Sequence, residues 1–350
     1  MMRSWLDLPR APIWRNRYQL YFFFLGFIST LVRIFNATMN SIPACRNSSS
    51  RISLYTTIRA LSSASNPNSK RELKDLTPSD LCYYWDTRPP KDEQLAFADK
   101  VFTPSRHSPV KLWSAAKFRT TPFASVEPEV AFLGRSNVGK SSLLNAIMGK
   151  EICWTSSKPG RTREMNAFGI GGTKGGESKV VLLDMPGYGK ASRSEWGEEI
   201  MKYLQGRKQL RRAFLLIDST HGIKQTDAEI LRLFRHHAIP HQIILSKVDK
   251  FLVRQLKQIK TGVTPANIER LQLLLQGIKP IVQPDPGVAE GPGSLGEILT
   301  CSAEARIGPG RALGIDAVRW SILSAAGIDG SLQGGRLAVP SAAETPVTLS

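Results

Sequence analysis

The chain of 350 residues is long enough for one or two domains, and its 41% hydrophobic content is ordinary for a globular protein. Its charge is not ordinary: 47 Lys and Arg against 29 Asp and Glu leave a net charge of +18, which favours a polyanionic partner such as nucleic acid or an acidic membrane surface. Four scattered cysteines with no CxxC pair argue against a disulfide framework and against a zinc site.

The first 60 residues have the composition of an organelle transit peptide, with eight arginines and a single acid, Asp7. We therefore expect residues 1–60 to be a leader that is cleaved or disordered. Within them, Tyr18–Val32 is an uncharged run of 15 residues, shorter than the roughly 20 that a membrane-spanning helix needs. A membrane anchor at this run is an alternative that we do not favour. The segment beginning at Met39 would serve alone as a presequence, so a start of translation there is a second hypothesis.

Residues 61–113 show no strong periodicity and are predicted to be an N-terminal extension. From 114 to 330, apolar runs alternate with helical patterns, which predicts one three-layer α/β domain with a mostly parallel sheet and helices on both faces. The glycine-rich segment 171–176 indicates a hairpin turn and one antiparallel strand pair. Residues 331–350 are small and polar and are predicted to be a disordered tail. The predicted strands are Val130–Leu133, Ala167–Ile170, Val180–Leu183, Ala213–Ile217, Gln242–Leu245 and Ile298–Thr300. The predicted helices are Lys140–Met148, Ser194–Leu204, Asp227–Arg235, Ile268–Ile278 and Ile315–Ala326.

A phosphate-binding loop follows the first of these strands. The segment GRSNVGKS (134–141) fits G-x-x-x-x-G-K-[ST] and lies between a predicted strand and a predicted helix, as this motif requires. Its glycines let backbone N–H groups face the phosphates, and the helix N-terminus adds partial positive charge. We expect Lys140 to reach the β- and γ-phosphates and Ser141 to bind Mg²⁺. The predicted nucleotide contacts in this loop are Gly134, Arg135, Ser136, Asn137, Val138, Gly139, Lys140, Ser141 and Ser142.

A second phosphate element is D-x-x-G at Asp184–Gly187, directly after the predicted strand Val180–Leu183. Asp184 is expected to hold Mg²⁺, either directly or through water, and the Gly187 N–H to meet the γ-phosphate. Between the two phosphate elements lies the segment TSSKPGRTREMNAF. Thr162 follows its Pro-Gly bend, and we expect this hydroxyl to join the Mg²⁺ shell only when the γ-phosphate is present, as in GTP switches.

Two further segments favour guanine over adenine. In SKVD (246–249), the Asp249 carboxylate can accept hydrogen bonds from both N1–H and N2–H₂ of guanine, whereas adenine offers no such donor pair. The stem of Lys247 would lie over the purine. In TCSAE (300–304), a backbone N–H at Ser302 or Ala303 would meet guanine O6. Both segments follow strands, and ligands of open α/β sheets bind at the carboxyl ends of strands.

Several motifs together resemble the EngB/YihA-type GTPases, a translation-factor-related class of P-loop proteins: GRSNVGKSSLLNAI, KPGRT, DMPGYGKA, SAAKF and GIDAVRWSILSAAG. The resemblance covers about Ser114–Gly327 and implies a single Ras-like GTPase domain that assists assembly of the large ribosomal subunit. With the transit-like leader, it implies a monomer of the mitochondrial matrix that binds GTP and GDP, Mg²⁺, and the mitochondrial large subunit or its rRNA. The residues it carries over are Gly134–Ser142, Thr162, Asp184–Gly187, Ser246, Lys247, Asp249, Ser302 and Ala303. The family more often has Thr at the position of Ser246. The segment 256–294 is longer than a compact member of the family needs.

The mechanism implied by these motifs departs from that of Ras-like proteins at one position. Those proteins use a glutamine directly after D-x-x-G to orient the attacking water, and this chain has Tyr188 there. We therefore expect slow intrinsic hydrolysis by a site that includes Lys140, Thr162 and Gly187. Asn137 resembles an asparagine that coordinates K⁺ in related GTPases, and K⁺ there would supply charge near the β–γ bridge. Two alternatives stay open: Asn137 only shapes the loop, or the protein is a nucleotide-gated binding module with negligible hydrolysis.

Two groups of basic residues are candidates for contact with ribosomal RNA. A solvated face without a partner is the alternative for each. The first group is Arg207, Lys208, Arg211 and Arg212. The second is Lys250, Arg254, Lys257 and Lys260.

Overall fold

The structure of the chain is a computed structural model that describes residues 70–122, 125–153, 164–173, 178–188, 194–253, 262–285, 287, 291–308 and 310–328. The chain divides into two compact units, Met1–Ser65 and Asn66–Ser350, and all described residues belong to the second. The predicted leader, the predicted tail and Thr162 lie outside the described residues.

A central sheet organises the second unit. Its strands are β1 (Tyr83–Tyr84), β2 (Val110–Ala115), β3 (Glu129–Gly134), β4 (Met165–Ile170), β5 (Val180–Asp184), β6 (Leu210–Asp218), β7 (His241–Ser246) and β8 (Glu297–Thr300). They lie in the order β1-β8-β7-β6-β3-β5-β4-β2. From β8 across to β5, neighbouring strands are parallel, whereas β4 runs antiparallel to β5. A separate hairpin pairs β9 (Arg306–Gly308) with β10 (Arg311–Ala312).

Helices connect these strands and cover the sheet. Those described are α1 (Pro78–Leu81), α2 (Asp92–Phe102), α3 (Lys140–Met148), α4 (Ser194–Gly206), α5 (Gln225–His236), α6 (Val248–Leu252), α7 (Pro265–Val282) and α8 (Ile315–Ala325). The predicted long segment 256–294 supplies α7. Among the residues that the structure describes, no helix is both long and apolar enough to cross a membrane. The run Tyr18–Val32 lies outside them, so an anchor there stays a prediction.

The central strands form because their sequences are nearly continuous apolar runs. Every residue of β3, β5 and β7 is buried, as expected for parallel strands that helices cover on both faces. In the middle of the sheet, the rings of Phe132 and Phe214 stack with centroids 5.2 Å apart. All six predicted strands and all five predicted helices are present with small shifts at their ends, so the predicted α/β class is confirmed.

The two edge strands come from the predicted N-terminal extension. β1 pairs with β8 and β2 pairs with β4, both antiparallel. The single antiparallel pair expected from the sequence is therefore present as β4–β5, and the edges add two more. Helix α2 packs against α8, where Arg319 donates to Asp99 Oδ1 at 2.8 Å and to the Ile147 carbonyl at the end of α3 at 2.9 Å. The described part of the extension thus belongs to the same sheet and supports α3, while the domain limits at 60, 113 and 330 stay predictions.

This topology sets the position of the motifs. Because β3, β5, β6, β7 and β8 are parallel, their carboxyl ends meet at one edge of the sheet. The phosphate loop, D-x-x-G, SKVD and TCSAE each lie at or directly after one of those ends.

Candidate functional site

The phosphate loop has the curled backbone that its sequence predicts. Asn137 and Gly139 adopt left-handed conformations, with φ of 67° and 95°, and α3 begins directly afterwards at Lys140. Gly134 is required by packing, because a Cβ there would lie 2.8 Å from Cγ1 of the buried Val138. Ser141 and Ser142 are half-buried in the first turn of α3. The loop therefore directs its backbone and the start of a helix toward the same edge of the sheet.

Lys140 and Asp184, both predicted at the phosphates, are in direct contact. The Lys140 ammonium donates a hydrogen bond to Asp184 Oδ1, and both side chains are buried. A buried ion pair is screened far less than one in water, so this contact holds the D-x-x-G segment against the phosphate loop.

The backbone continues that contact. Tyr188 N–H donates to the Gly134 carbonyl at 3.3 Å, and Ser136 N–H donates to the Tyr188 carbonyl at 3.2 Å. Gly187 lies so close to the loop that a Cβ there would be 3.0 Å from Ser136 Oγ and 3.1 Å from Ser136 Cα. Glycine at 187 is therefore a requirement of this close approach, and D-x-x-G forms a short extension of the sheet beside the loop.

The Tyr188 side chain turns away from the loop toward α5. Its hydroxyl donates to Asp227 Oδ1 at 2.8 Å, and burial raises the pKa of that hydroxyl, which stays a donor. Asp227 is fully buried; its Oδ2 accepts the Lys224 N–H at 2.9 Å and lies 3.3 Å from Arg135 Nε. Arg135, predicted as a nucleotide contact, thus directs its side chain to Asp227. The sequence does not predict this role for Asp227, because its spacing from Lys224 indicates only a helix cap.

The segment SKVD is tied to the phosphate loop by its first two side chains. Ser246 Oγ donates to the Val138 carbonyl at 2.8 Å. Lys247 Nζ donates to the Asn137 carbonyl at 3.0 Å and to Asp218 Oδ2 at 2.8 Å. Burial alone would raise the pKa of Asp218, but hydrogen bonds from Lys247 and Thr220 hold it well below its usual range. Asp218, at the end of β6, is a second member of the site that the sequence does not predict, since its role depends on the pairing of β6 with β7.

Asp249 has the most distinctive environment at this edge. It lies in the first turn of α6 and is only 1% exposed. Its Oδ2 has no hydrogen-bond partner among the described residues. Buried carboxylate oxygens are normally paired, because leaving one unpaired costs about 1–3 kcal/mol or more. The position is therefore built to receive a donor that a ligand supplies.

The turn TCSAE packs beside this carboxylate. The Cys301 carbonyl accepts the Val248 N–H at 3.2 Å, which joins the turn to the start of α6. Ser302 is buried, and its Oγ accepts the N–H groups of Glu304 and Ala305 at 3.2 and 3.0 Å. The Ser302 N–H already donates to the Leu313 carbonyl at 2.9 Å. Of the two predicted donors to guanine O6, the geometry therefore favours the N–H of Ala303.

The first predicted basic group is not a continuous surface. Arg207 is buried, and its guanidinium donates to both carboxylate oxygens of Glu129, at 2.9 and 2.6 Å. Arg212 is half-buried and bonds Gln242 at 2.7 Å. Of the four residues, only Lys208 and Arg211 are exposed. The predicted surface role of Arg207 is wrong, because its guanidinium is buried against Glu129, 78 residues away in the sequence. In the second group Lys250 is exposed, and the other three residues lie outside the described part of the chain.

A cleft of about 530 Å³ lies at the opposite end of the sheet. Its lining includes Arg212, Gln242 and Glu297, which stand at or near the first residues of β6, β7 and β8. It is therefore separated from the motif loops by the length of the strands.

Together, the phosphate loop, the D-x-x-G segment joined to it and the Asp249 carboxylate after β7, whose Oδ2 has no partner in the described part of the chain, define a P-loop GTPase with a Ras-like G domain. A family model described as "50S ribosome-binding GTPase" matches residues 129–247. The chain is 39% identical over 207 residues to "Probable GTP-binding protein EngB" of Bartonella bacilliformis, which covers 57% of this chain and 84% of that protein. The chain belongs to the EngB family of GTP-binding proteins.

Two further matches carry the same name. A protein of the same name from Brucella melitensis is 49% identical over 131 residues, which is 35% of this chain and 54% of that protein. A solved structure titled "Crystal structure of a probable GTP-binding protein engB" is 19% identical, with a TM-score of 0.35, over 57% of this chain and 98% of that chain.

Proposed function

We propose that this chain is a GTP switch that assists assembly of the large ribosomal subunit in the mitochondrial matrix. The observation that supports guanine binding is the buried Oδ2 of Asp249, which has no hydrogen-bond partner among the residues that the structure describes. The description of the matching family as ribosome-binding supports the ribosomal part. The arginine-rich leader with one acid in residues 1–60 supports the mitochondrial part.

Guanine recognition follows from three positions at the site edge. Asp249 accepts from N1–H and N2–H₂ of the base, and the N–H of Ala303 donates to O6. The stem of Lys247 already lies over the phosphate loop, since a Cβ on Gly139 would be 3.6 Å from Lys247 Cε. ATP is rejected because adenine would leave the Asp249 oxygen unpaired.

Phosphate binding requires an exchange of partners. Lys140 leaves Asp184 for the β- and γ-phosphate oxygens, and Asp184 becomes free to hold a metal-bound water. Ser141, Asp184 and Thr162 supply oxygen ligands, which suits Mg²⁺, an ion that keeps several waters and phosphate oxygens in its shell. When bound there, Mg²⁺ would supply positive charge next to the β- and γ-phosphates.

Slow intrinsic hydrolysis is the expected rate behaviour, because the Tyr188 hydroxyl is engaged by Asp227 and offers no amide to a water. K⁺ held at Asn137 would supply the missing charge. The left-handed backbone at Asn137 equally suits a residue that only shapes the loop, since Asn adopts this conformation more readily than most residues. Hydrolysis rates in KCl and NaCl, with and without ribosomal particles, separate the two: equal rates throughout reject K⁺.

The ribosomal part is tested by co-sedimentation of the tagged full-length protein with mitochondrial large-subunit precursors. We expect more protein to sediment with a non-hydrolysable GTP analogue than with GDP, and binding to weaken steeply with salt if phosphates are contacted. Charge reversal at the exposed Lys208 and Arg211 should reduce binding, while Lys100→Glu, exposed on α2, serves as the control. Equal sedimentation with both nucleotides would count against a switch on this particle.

The cellular location has its own experiment. N-terminal sequencing of the native protein should find a mature chain that lacks Tyr18–Val32. A mature chain that keeps this run and resists carbonate extraction from mitochondria would support the anchored alternative instead.

A further inference from the structure

A group of three side chains, centred on a buried carboxylate, joins the phosphate loop, the D-x-x-G segment and helix α5. Its members are Arg135, Tyr188 and Asp227. Asp227 is the centre: Oδ1 accepts the Tyr188 hydroxyl at 2.8 Å, and Oδ2 lies 3.3 Å from Arg135 Nε and accepts the Lys224 N–H. One carboxylate therefore contacts the residue after the first glycine of the loop, the residue after D-x-x-G, and its own helix terminus.

The position of Tyr188 controls the position of Gly187, because the two are adjacent in sequence. The backbone of Tyr188 is bonded to the loop on both sides, to the Gly134 carbonyl and from the Ser136 N–H. These bonds are 3.3 and 3.2 Å long, at or beyond the long end of the usual N–H···O range, so by themselves they hold the segment weakly. The hydrogen bond from the Tyr188 side chain to Asp227 supplies a second attachment, to a rigid helix.

We propose that Asp227 is a positioning residue for the γ-phosphate half of the site. It holds Tyr188, and through Tyr188 it holds the Gly187 N–H in register with the phosphate loop. The inference rests on the proposed contact between Gly187 and the γ-phosphate. GDP has no γ-phosphate, so this attachment contributes to binding of GTP and to its hydrolysis but not to binding of GDP.

The open geometry of the group distinguishes it from an ordinary buried ion pair. Arg135 Nε lies near the carboxylate but makes no directed hydrogen bond to any described residue. The Arg135 side chain is 17% exposed, whereas Asp227 is fully buried. A group that only stabilised the fold would gain free energy from a directed hydrogen bond between Arg135 and Asp227. A looser contact suits a group whose members shift when nucleotide binds.

The test uses full-length protein and four single variants. Asp227→Asn removes the charge and replaces one of the two acceptor oxygens with a donor, so the Tyr188 hydroxyl and the Lys224 N–H can no longer each donate to an oxygen of their own. Tyr188→Phe removes only the hydroxyl and carries the test if Asp227→Asn does not fold. Tyr203→Phe is the matched control, because the Tyr203 hydroxyl donates to the buried carboxylate of Glu129 at 2.6 Å at the other end of β3, away from the phosphate loop.

Two quantities are measured for each variant: the Kd values of fluorescent GDP and of a non-hydrolysable GTP analogue, and kcat for GTP. For Asp227→Asn and Tyr188→Phe we expect the analogue to bind about tenfold more weakly and kcat to fall, with GDP affinity unchanged within about twofold. Tyr203→Phe should leave the ratio of the two Kd values unchanged.

The fourth variant, Gly187→Ala, tests the assumption beneath the inference. Its added Cβ would collide with Ser136, so analogue binding should weaken selectively. If it does not, the γ-phosphate assignment of Gly187 fails, and the inference fails with it. If Gly187→Ala is selective but the other two site variants weaken both nucleotides equally or neither, the positioning role of Asp227 alone is overturned.

Discussion

Strand β3 carries an arginine–carboxylate–tyrosine group at each end, and the two groups differ in how completely they are paired. At the amino end, Arg207 meets Glu129 through two hydrogen bonds, both side chains are at most 1% exposed, and the Tyr203 hydroxyl donates to the same carboxylate. At the carboxyl end, Arg135 approaches Asp227 through one contact of 3.3 Å, and within the described part of the chain its Nε has no directed hydrogen-bond partner.

The difference follows from what each end of the strand must do. The amino end binds no predicted ligand, so its polar atoms can satisfy one another, and a bidentate pair fixes a single arrangement. The carboxyl end faces the phosphate loop, where under the proposed function Lys140 exchanges Asp184 for phosphate, and where Asp249 Oδ2 has no partner among the described residues. Incomplete pairing there is consistent with a site whose remaining partners arrive with the nucleotide.

The largest expected effect comes from disrupting the fully paired group at the amino end of β3. Arg207→Met leaves the Glu129 carboxylate buried without its cation, which should lower the free energy of unfolding by about 3–5 kcal/mol. Chemical denaturation followed by fluorescence measures this loss. The double variant Arg207→Met with Glu129→Gln removes both charges and should recover much of it, because a neutral pair leaves no charge stranded. A loss below about 1 kcal/mol in the single variant would mean that the pair is not closed in solution.

The next largest effect is expected at the carboxyl end of the sheet, and it concerns the affinity for GTP and not the free energy of unfolding. Asp249→Asn presents an amide donor where guanine also presents donors, so GTP should bind about 10- to 100-fold more weakly. Stability without nucleotide should not fall, because Oδ2 has no partner to lose among the described residues. Equilibrium binding of GTP, ATP and XTP checks the assignment. The affinity for XTP should be higher in the variant than in the unchanged protein, since xanthine offers a carbonyl at position 2. Unchanged GTP affinity would remove Asp249 from the base site.

The same contrast explains what the sequence could predict. The phosphate loop was predictable because its geometry is local: Gly139 and Gly149, with φ of 95° and 65°, bound α3, whose observed limits equal the predicted Lys140–Met148. The position of Asp249 at this end of the sheet was predictable because SKVD begins at the end of an apolar run that forms β7. Both features depend on a few neighbouring residues.

What the sequence did not predict depends on distant pairing. The sequence alone places Arg207 in a basic cluster, because its partner Glu129 lies 78 residues away and only the fold brings the two together. Asp218 and Asp227 carry no motif, and their roles appear only when β6 pairs with β7 and α5 packs near the loop. Strand β1 has two residues, too few for a period-2 pattern to register, so its addition to the sheet was missed.

The smallest expected effect compares the two tyrosines directly. Removing the hydroxyl in Tyr203→Phe or in Tyr188→Phe costs one hydrogen bond to a buried carboxylate, and each should lower the free energy of unfolding by about 1.5–3 kcal/mol or less. We expect Tyr203→Phe to cost more, because its bond is shorter, 2.6 Å against 2.8 Å, and its ring is fully buried while that of Tyr188 is not. Urea denaturation without nucleotide gives both values under one condition.

A saturating GTP analogue should then reverse this order. Ligand that binds only the folded state adds stability in proportion to the logarithm of its concentration over Kd, so a variant with weakened analogue binding gains less. Tyr188→Phe should therefore gain less from the analogue than Tyr203→Phe does, while GDP should stabilise both variants equally. If the analogue raises the two by the same amount, the loose pairing at the carboxyl end of β3 is a packing feature without a role in nucleotide binding.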